Sequence, residues 1–146
     1  MRAITILLLL LPISSVQAGE LEDRITRLIP VLIEQESNGD TWAIGDNGNA
    51  LGCMQIWPDY IKDVNAAYGT TYDQVHVLGD KNTSCEITYL YLLHYGKVYK
   101  KMTGAMPTII DLARIHNGGP TGYARKATRK YGREVMLRLI TIKEEK

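Results

Sequence analysis

One carboxylate in this sequence lies where it could donate a proton. Glu36 follows the apolar residues Ile29 and Ile33 at helical spacing, so a helix would project all three side chains from one face. Burial disfavours the charged form of a carboxyl group, and its pKa can then rise above the ordinary value. Such a group is the general acid that cleavage of a glycosidic bond requires. The alternative is that Glu36, like Glu34, is a solvated residue at a helix end.

The elements that must position Glu36 are predicted to be mostly helical. The first is an amphipathic helix with apolar residues at helical spacing from Leu21 to Ile33. Pro30 either kinks this helix or marks its first turn, and Ser37-Asn38-Gly39 ends it. The next is a helix from Pro58 to Tyr68. A capping box at Thr83 to Glu86 predicts a third helix, and Thr108 with Asp111 predicts a fourth. Gly118-Gly119-Pro120 ends the fourth helix before one or two basic helices.

Between the first two helices the chain becomes rich in glycine. Residues 42–56 contain Asn47-Gly48, a dipeptide typical of a β-hairpin turn, between short extended pieces. The sequence therefore predicts a mainly α protein with a small glycine-rich β-hairpin region.

The first eighteen residues have the pattern of a secretory signal peptide. Arg2 precedes an apolar run from Ile4 to Ile13, and Val16-Gln17-Ala18 is a small-residue cleavage signal. The alternative, a membrane anchor, would need a longer uninterrupted apolar run than Pro12 and Ser14 leave. Cleavage leaves residues 19–146, enough for one domain. We expect a secreted or periplasmic monomer with no stable membrane anchor.

The charges of the mature chain are balanced in total and uneven in distribution. Residues 19–96 carry 4 basic and 12 acidic side chains, and residues 97–146 carry 12 basic and 4 acidic ones. Neutrality overall gives no indication of nucleic-acid binding. The basic half is either one solvated face of the domain or a surface that attracts an anionic polymer.

The two cysteines and three histidines indicate structure more than metal binding. In an exported chain, Cys53 and Cys85 are expected to form a disulfide. His76, His94 and His116 are not spaced as a metal pair, so no metal and no cofactor are expected.

Two motifs resemble those of the lysozyme-like superfamily. The first resembles the Glu-Ser and Met-Gln-Ile signature of soluble lytic transglycosylase (SLT) domains. It is more similar to the goose-type lysozymes, whose Glu-Ser is followed by the patterns Gly-Asp-x-Gly-Asn and Gly-x-Met-Gln. It comprises Glu36-Ser37, Gly45-Asp46-Asn47-Gly48-Asn49 and Gly52-Cys53-Met54-Gln55. The second, "ARIHNGGPTG" at 113–122, resembles a segment of invertebrate-type lysozymes and the Tyr-Asn-Ala-Gly segment of the transglycosylases. The resemblance implies an α+β lysozyme-like fold.

The resemblance also implies roles for particular residues. Glu36 would be the acid, and Asp46 a second catalytic residue that positions water unless it is only a turn residue. The residues expected to contact substrate are Ser37, Gln55, His116, Asn117 and Tyr123. Gln55 and Asn117 would bond N-acetyl groups, although amides at such places are often structural and His116 is often simply packed. The goose-type pattern has an Asp at the position of Trp57. Asp59, two residues further along, is the alternative to Asp46 as the second carboxylate.

The implied activity is cleavage of the β-1,4 bond between N-acetylmuramic acid and N-acetylglucosamine in peptidoglycan. A muramidase adds water, whereas a lytic transglycosylase uses the same Glu36 and leaves an anhydro end. A chitin-type substrate would undergo the same chemistry. An alternative of another class is a non-catalytic glycan-binding or structural component of a secretion apparatus or virion.

Overall fold

The computed structural model describes residues 13–144, and the side chains of residues 19–142. Residues 1–12, most of the predicted signal peptide, lie outside this range. The described part is mainly helical, with 69% of residues in helices. The α-helices are α1 (Ile13–Ser37), α2 (Pro58–Tyr68), α3 (Lys81–Thr103), α4 (Ile109–Gly118) and α5 (Arg129–Glu144), and the strands are β1 (Ile44–Gly45) and β2 (Ala50–Leu51).

Helix α1 is the element against which three other helices pack. Its apolar face is fully buried at Ile25, Leu28 and Leu32, and α1 contacts α3, α4 and α5. Pro30 lies inside the helix, so it does not mark the first turn. A proline there removes one backbone hydrogen bond, and the buried face offsets that loss. The helix ends at Ser37, as predicted.

The later helices begin and end close to the predicted residues, with one exception. Pro58 is the first residue of α2. Thr108 and Asp111 form the predicted capping box of α4, and that helix ends at Gly118. The exception is α3, whose predicted capping box at Thr83 is wrong. The helix begins at Lys81, because the Asp80 side chain accepts the backbone N–H of Thr83 and caps the helix earlier.

The glycine-rich segment forms the predicted hairpin. Strands β1 and β2 are antiparallel, with Ile44 opposite Leu51 and Gly45 opposite Ala50. Asp46 and Asn47 in the connecting turn have positive φ angles of 46° and 56°, which Asp and Asn adopt more readily than most residues. The turn therefore reverses the chain directly after Gly45 and holds Asp46 at the tip.

The segment after α4 comprises two short 3₁₀ turns, Gly122–Ala124 and Lys126–Thr128, and then α5. Gly122 is needed at this point because a Cβ atom there would lie 1.9 Å from the carbonyl oxygen of Arg114 on α4. This close approach brings the start of α5 back towards the end of α1. None of the helices in the described range has the length and apolar content needed to cross a bilayer.

Cys53 and Cys85 meet where the chain after the hairpin packs on α3. Both are free thiols in this structure. The neighbouring Cys85 thiol lowers the pKa of Cys53 to about 7, with burial opposing it. The fold thus brings the two sulfur atoms together, and the disulfide stays a prediction.

We predict that oxidised protein carries a Cys53–Cys85 bridge. The loop it closes, roughly thirty residues, implies about 3 to 4 kcal/mol of added stability in the chain-entropy model. Mass spectrometry after alkylation without reductant would show the bridge, and denaturant unfolding with and without reductant would give the difference. Two alkylated thiols in native protein prepared without reductant would contradict the prediction.

Candidate active site

Glu36 lies at the end of α1 and faces a polar cavity of about 290 Å³. The wall of the cavity comes from three parts of the chain: the end of α1, the region from the hairpin turn into α2, and the end of α4. The residues that line it are Glu36, Asp46, Gln55, Trp57, Tyr60, His116 and Asn117. Five of the residues predicted from the sequence, Glu36, Asp46, Gln55, His116 and Asn117, are therefore brought together.

The Glu36 carboxyl group has two partners from distant helices. The Nε2 atom of His116, in the last turn of α4, lies 3.5 Å from Oε1 of Glu36. The hydroxyl group of Tyr131, in the first turn of α5, donates a hydrogen bond to the same oxygen. The side chain of Glu36 is 15% exposed and that of His116 is 4% exposed. The carboxyl group is thus largely buried, with its open side towards the cavity.

The expected rise in the pKa of Glu36 is wrong for this structure. Burial is the largest single influence and raises the pKa, but the hydrogen bond and charge of His116 and the hydrogen bond from Tyr131 lower it. The combined effect places the pKa below the ordinary value of 4.5. The sequence indicated the apolar surroundings of Glu36, whereas its two partners come from elements far along the chain.

His116 is held from its far side by Tyr60. The Tyr60 hydroxyl lies 2.9 Å from Nδ1 of His116, and burial raises the pKa of Tyr60 well above its ordinary value. The phenol therefore remains protonated and can donate to Nδ1, which leaves the proton of a neutral imidazole on Nε2, facing Glu36. Tyr60 itself stacks on Tyr91 with ring centroids 3.5 Å apart.

Gln55 braces the hairpin as well as lining the cavity. Its side-chain amide donates to the carbonyl oxygens of Gly52 at 3.0 Å and Ala43 at 3.4 Å. A Cβ atom on Gly45 would lie 2.2 Å from the Oε1 atom of Gln55, so glycine at 45 is what allows this amide to lie against β1. The hydrogens of the Gln55 amide are therefore engaged within the hairpin.

Two residues predicted to contact substrate lie elsewhere. Ser37 donates to the carbonyl oxygen of Cys53 at 3.1 Å and so fastens the end of α1 to the chain after the hairpin. Tyr123 packs edge-on against Tyr99, with ring centroids 4.7 Å apart. Neither is among the residues that line the cavity. Both instead support the elements that form its walls.

Sequence reasoning missed three aromatic residues at the site. Trp57 is 46% exposed and lines the cavity, at the position where the goose-type pattern has an Asp. Tyr60 and Tyr131 bond His116 and Glu36. The position of Trp57 beside the Met-Gln motif was a usable signal. Tyr131 lies in a segment whose basic residues gave no indication of a buried role.

Among the described residues no group of three or more His, Cys, Asp or Glu side chains is arranged to hold a metal ion. Comparisons with known proteins find no match among family models, curated proteins or solved structures. The roles proposed below therefore rest on the geometry of the cavity and on the motif residues.

We predict that Tyr131→Phe raises the pKa of Glu36, because the phenol hydrogen bond that favours the charged carboxylate is lost. Carboxyl ¹³C NMR of selectively labelled protein would follow the titration. Tyr123→Phe is the matched control, since that ring lies against Tyr99, and it should leave the Glu36 titration unchanged. An identical Glu36 titration in Tyr131→Phe and wild type would remove Tyr131 from this role.

The lowered pKa also predicts how stability depends on pH. Because Glu36 has a lower pKa in the folded protein than the ordinary value of 4.5, its ionisation favours folding above pH 4.5. That contribution is lost as the pH falls through the folded-state pKa. In Glu36→Gln, the free energy of unfolding should therefore decrease less between pH 6 and about pH 3 than in wild type. An equal or steeper decrease in the variant would contradict this assignment.

Proposed function

We propose that the protein is an exported glycosidase of lysozyme-like fold that cleaves the β-1,4 bond between N-acetylmuramic acid and N-acetylglucosamine in peptidoglycan. The observation that carries the proposal is the largely buried carboxyl group of Glu36, bonded by His116 and Tyr131 and facing a polar cavity. Cleavage of a glycosidic bond needs a positioned proton donor beside the leaving oxygen. The Glu-Ser and Met-Gln motifs support the same assignment.

A lowered pKa in the free protein is compatible with the role of acid. Burial already exerts the largest influence on Glu36, and it acts to raise the pKa. A glycan that fills the cavity removes water from the remaining exposed side of the carboxyl group, so burial increases when substrate binds. The protonated form therefore becomes more favourable in the complex, where the proton is needed.

Asp46 supports hydrolysis over transglycosylation. It lines the same cavity as Glu36 and lies at the exposed tip of the hairpin, in contact with solvent. In an inverting hydrolase the second carboxylate activates water across a gap of roughly 6.5 to 9.5 Å from the acid. A lytic transglycosylase is the second candidate, because Glu36 can act alone as acid and then as base.

The other cavity residues match the chemistry of an amino sugar. Asn117 at the end of α4 offers an amide donor and acceptor for an N-acetyl group. The exposed indole of Trp57 gives a flat apolar surface on which a sugar ring can stack. A non-catalytic glycan-binding module could use these two residues equally well. It would have no use for a buried carboxylate with two hydrogen-bond partners, which burial makes costly.

We predict that Glu36→Gln abolishes clearing of purified cell-wall sacculi and leaves folding and glycan binding nearly intact. The amide has the shape of the carboxyl group but cannot donate the required proton, and a general acid typically contributes about 10²- to 10⁴-fold. Turbidity loss would measure the rate. Glu34→Gln is the matched control, because Glu34 is exposed on the same helix, and it should clear sacculi normally. Activity of Glu36→Gln above about one per cent of wild type would remove Glu36 from the role.

We predict that Asp46→Asn lowers turnover strongly with little change in glycan affinity, because a group that orients water acts mainly in the transition state. Asp59→Asn is the matched comparison in the first turn of α2, and it should retain wild-type turnover. A colorimetric assay of reducing ends would report hydrolysis directly. Normal turnover in Asp46→Asn, with few reducing ends from wild type, would instead favour transglycosylation by Glu36 alone.

A further inference from the structure

Glu36 lies beside a second ionisable side chain, His116, in the wall of the cavity. We propose that Glu36 and His116 share one proton, and that the imidazole stores the proton which Glu36 delivers to the glycosidic oxygen. This inference rests on the proposed function and gives His116 a role beyond packing or contact with substrate. His116 acts through Glu36, so it is a positioning residue in the sense that it supplies and orients the proton of the acid.

The first support is the geometry of the pair. Oε1 of Glu36 and Nε2 of His116 are 3.5 Å apart, with the two side chains 15% and 4% exposed. Two ionisable groups so close and so little hydrated are coupled, so that one proton can serve both. In its working form the pair holds one proton. It lies either on the carboxyl oxygen, directed at Nε2, or on Nε2, directed at the carboxylate.

The second support is the way Tyr60 can adapt to both forms. Towards a neutral imidazole, the Tyr60 hydroxyl donates to Nδ1 across 2.9 Å. Towards an imidazolium, Nδ1 carries a proton, so the same hydroxyl must accept and direct its own hydrogen elsewhere. The second form therefore requires another acceptor beside Tyr60.

The third support is a buried hydroxyl group in that place. The Oγ1 atom of Thr88 on α3 is buried and makes no close, well-aligned hydrogen bond to any described residue, although buried polar atoms normally make one. The Tyr60 hydroxyl is its neighbour, and the Thr88 hydroxyl acts on that phenol as a donor that lowers its pKa. A hydroxyl group can rotate to donate or to accept, so Thr88 is placed to accept from Tyr60 when the imidazole is charged.

Other ionisable groups face the pair, and they do not replace it as the source of a proton. Burial raises the pKa of Tyr60 and of Tyr131, so both stay protonated through the neutral range. Asp46 shares the cavity at its exposed edge. The groups that face Glu36 and His116 from neighbouring elements are Tyr60 on α2, Asp46 on the hairpin and Tyr131 on α5, with Tyr91 on α3 behind Tyr60 and Glu134 on α5 behind Tyr131.

The proton balance of the reaction is closed by the pair. The shared proton moves from Nε2 to the Glu36 carboxylate and from there to the leaving oxygen, as the bond between that oxygen and the anomeric carbon breaks. In transglycosylation the attacking sugar hydroxyl returns its proton to the Glu36 carboxylate and so to the pair. In hydrolysis Asp46 takes the proton of the attacking water and releases it to solvent, and the pair takes up one proton from solvent. No net proton is gained or lost, so the pair begins the next cycle with one proton.

The test compares two curves in wild type: ionisation of Glu36, followed by carboxyl ¹³C NMR, and the alkaline loss of sacculus-clearing activity. A shared proton predicts that activity persists well above the pH at which Glu36 ionises, because the proton remains on the imidazole. In His116→Gln, whose amide can still donate to Glu36 but cannot store a proton, the two curves should coincide. The pH at which activity is lost on the alkaline side of the pH–activity profile should then fall to the pH at which Glu36 ionises.

Thr88 provides a second test with a conservative rescue. Thr88→Val removes the alternative acceptor, so the alkaline loss of activity should move to lower pH. Thr88→Ser keeps a hydroxyl group, so its alkaline loss of activity should match that of wild type. Valine has nearly the shape of threonine, so this pair decides the question even if His116→Gln fails to fold. If these residues had only a structural role, the substitutions would change the rate of clearing without moving the pH at which activity is lost on the alkaline side.

Failure of this inference is distinguishable from failure of the proposed function. If wild type clears sacculi but its activity falls together with Glu36 ionisation, or if neither His116→Gln nor Thr88→Val moves the alkaline loss of activity, the pair does not share a proton. If wild type does not clear sacculi at all, the proposed function fails. The NMR comparison then still decides whether His116 is coupled to Glu36, since the Glu36 titration should move to higher pH in His116→Gln, and an unmoved titration would overturn the coupling.

Discussion

The burial of one carboxylate at the end of the α1 apolar face is the constraint on which the rest of the structure depends. A charged group in that position is costly unless it is hydrogen-bonded and compensated. The compensation comes from the last turn of α4 and the first turn of α5, through His116 and Tyr131. The connection between those helices must therefore be tight, and the close approach at Gly122 makes it so.

The opposite side of the cavity depends on backbone geometry more than on charge. Positive φ angles at Asp46 and Gln55 turn the chain sharply on either side of β2. The absence of a side chain at Gly45 then lets the Gln55 amide lie against β1. These turns place a solvated carboxylate and the Gln55 side chain at the same cavity as the buried Glu36. The two carboxylates thus have different surroundings, which is the arrangement an acid and a base require.

Local chemistry accounts for what the sequence predicted well. Pro58, the Thr108–Asp111 capping box and Asn47-Gly48 each act through bonds within a few residues, and the elements they mark were found where expected. The start of α3 was misplaced because Asp80 competes successfully with Thr83 as the capping residue. Five of the seven predicted catalytic and substrate-contacting residues line one cavity.

Long-range packing accounts for what the sequence did not predict. The direction of the Glu36 pKa depends on His116 and Tyr131, whose approach is decided by how α4 and α5 pack on α1. Tyr123 was expected at the cavity because it lies next to a motif, but its ring packs against Tyr99 instead. The same packing brings Thr88 and Tyr60 together behind His116.

The central claim is that this cavity cleaves a glycan at the bond between two amino sugars. Mass spectrometry of the soluble fragments released from purified sacculi by the wild-type protein tests it most directly. Disaccharide units with their peptides attached, cut between N-acetylmuramic acid and N-acetylglucosamine, are the result we predict. Intact sacculi, or fragments cut only within their peptides, would contradict it.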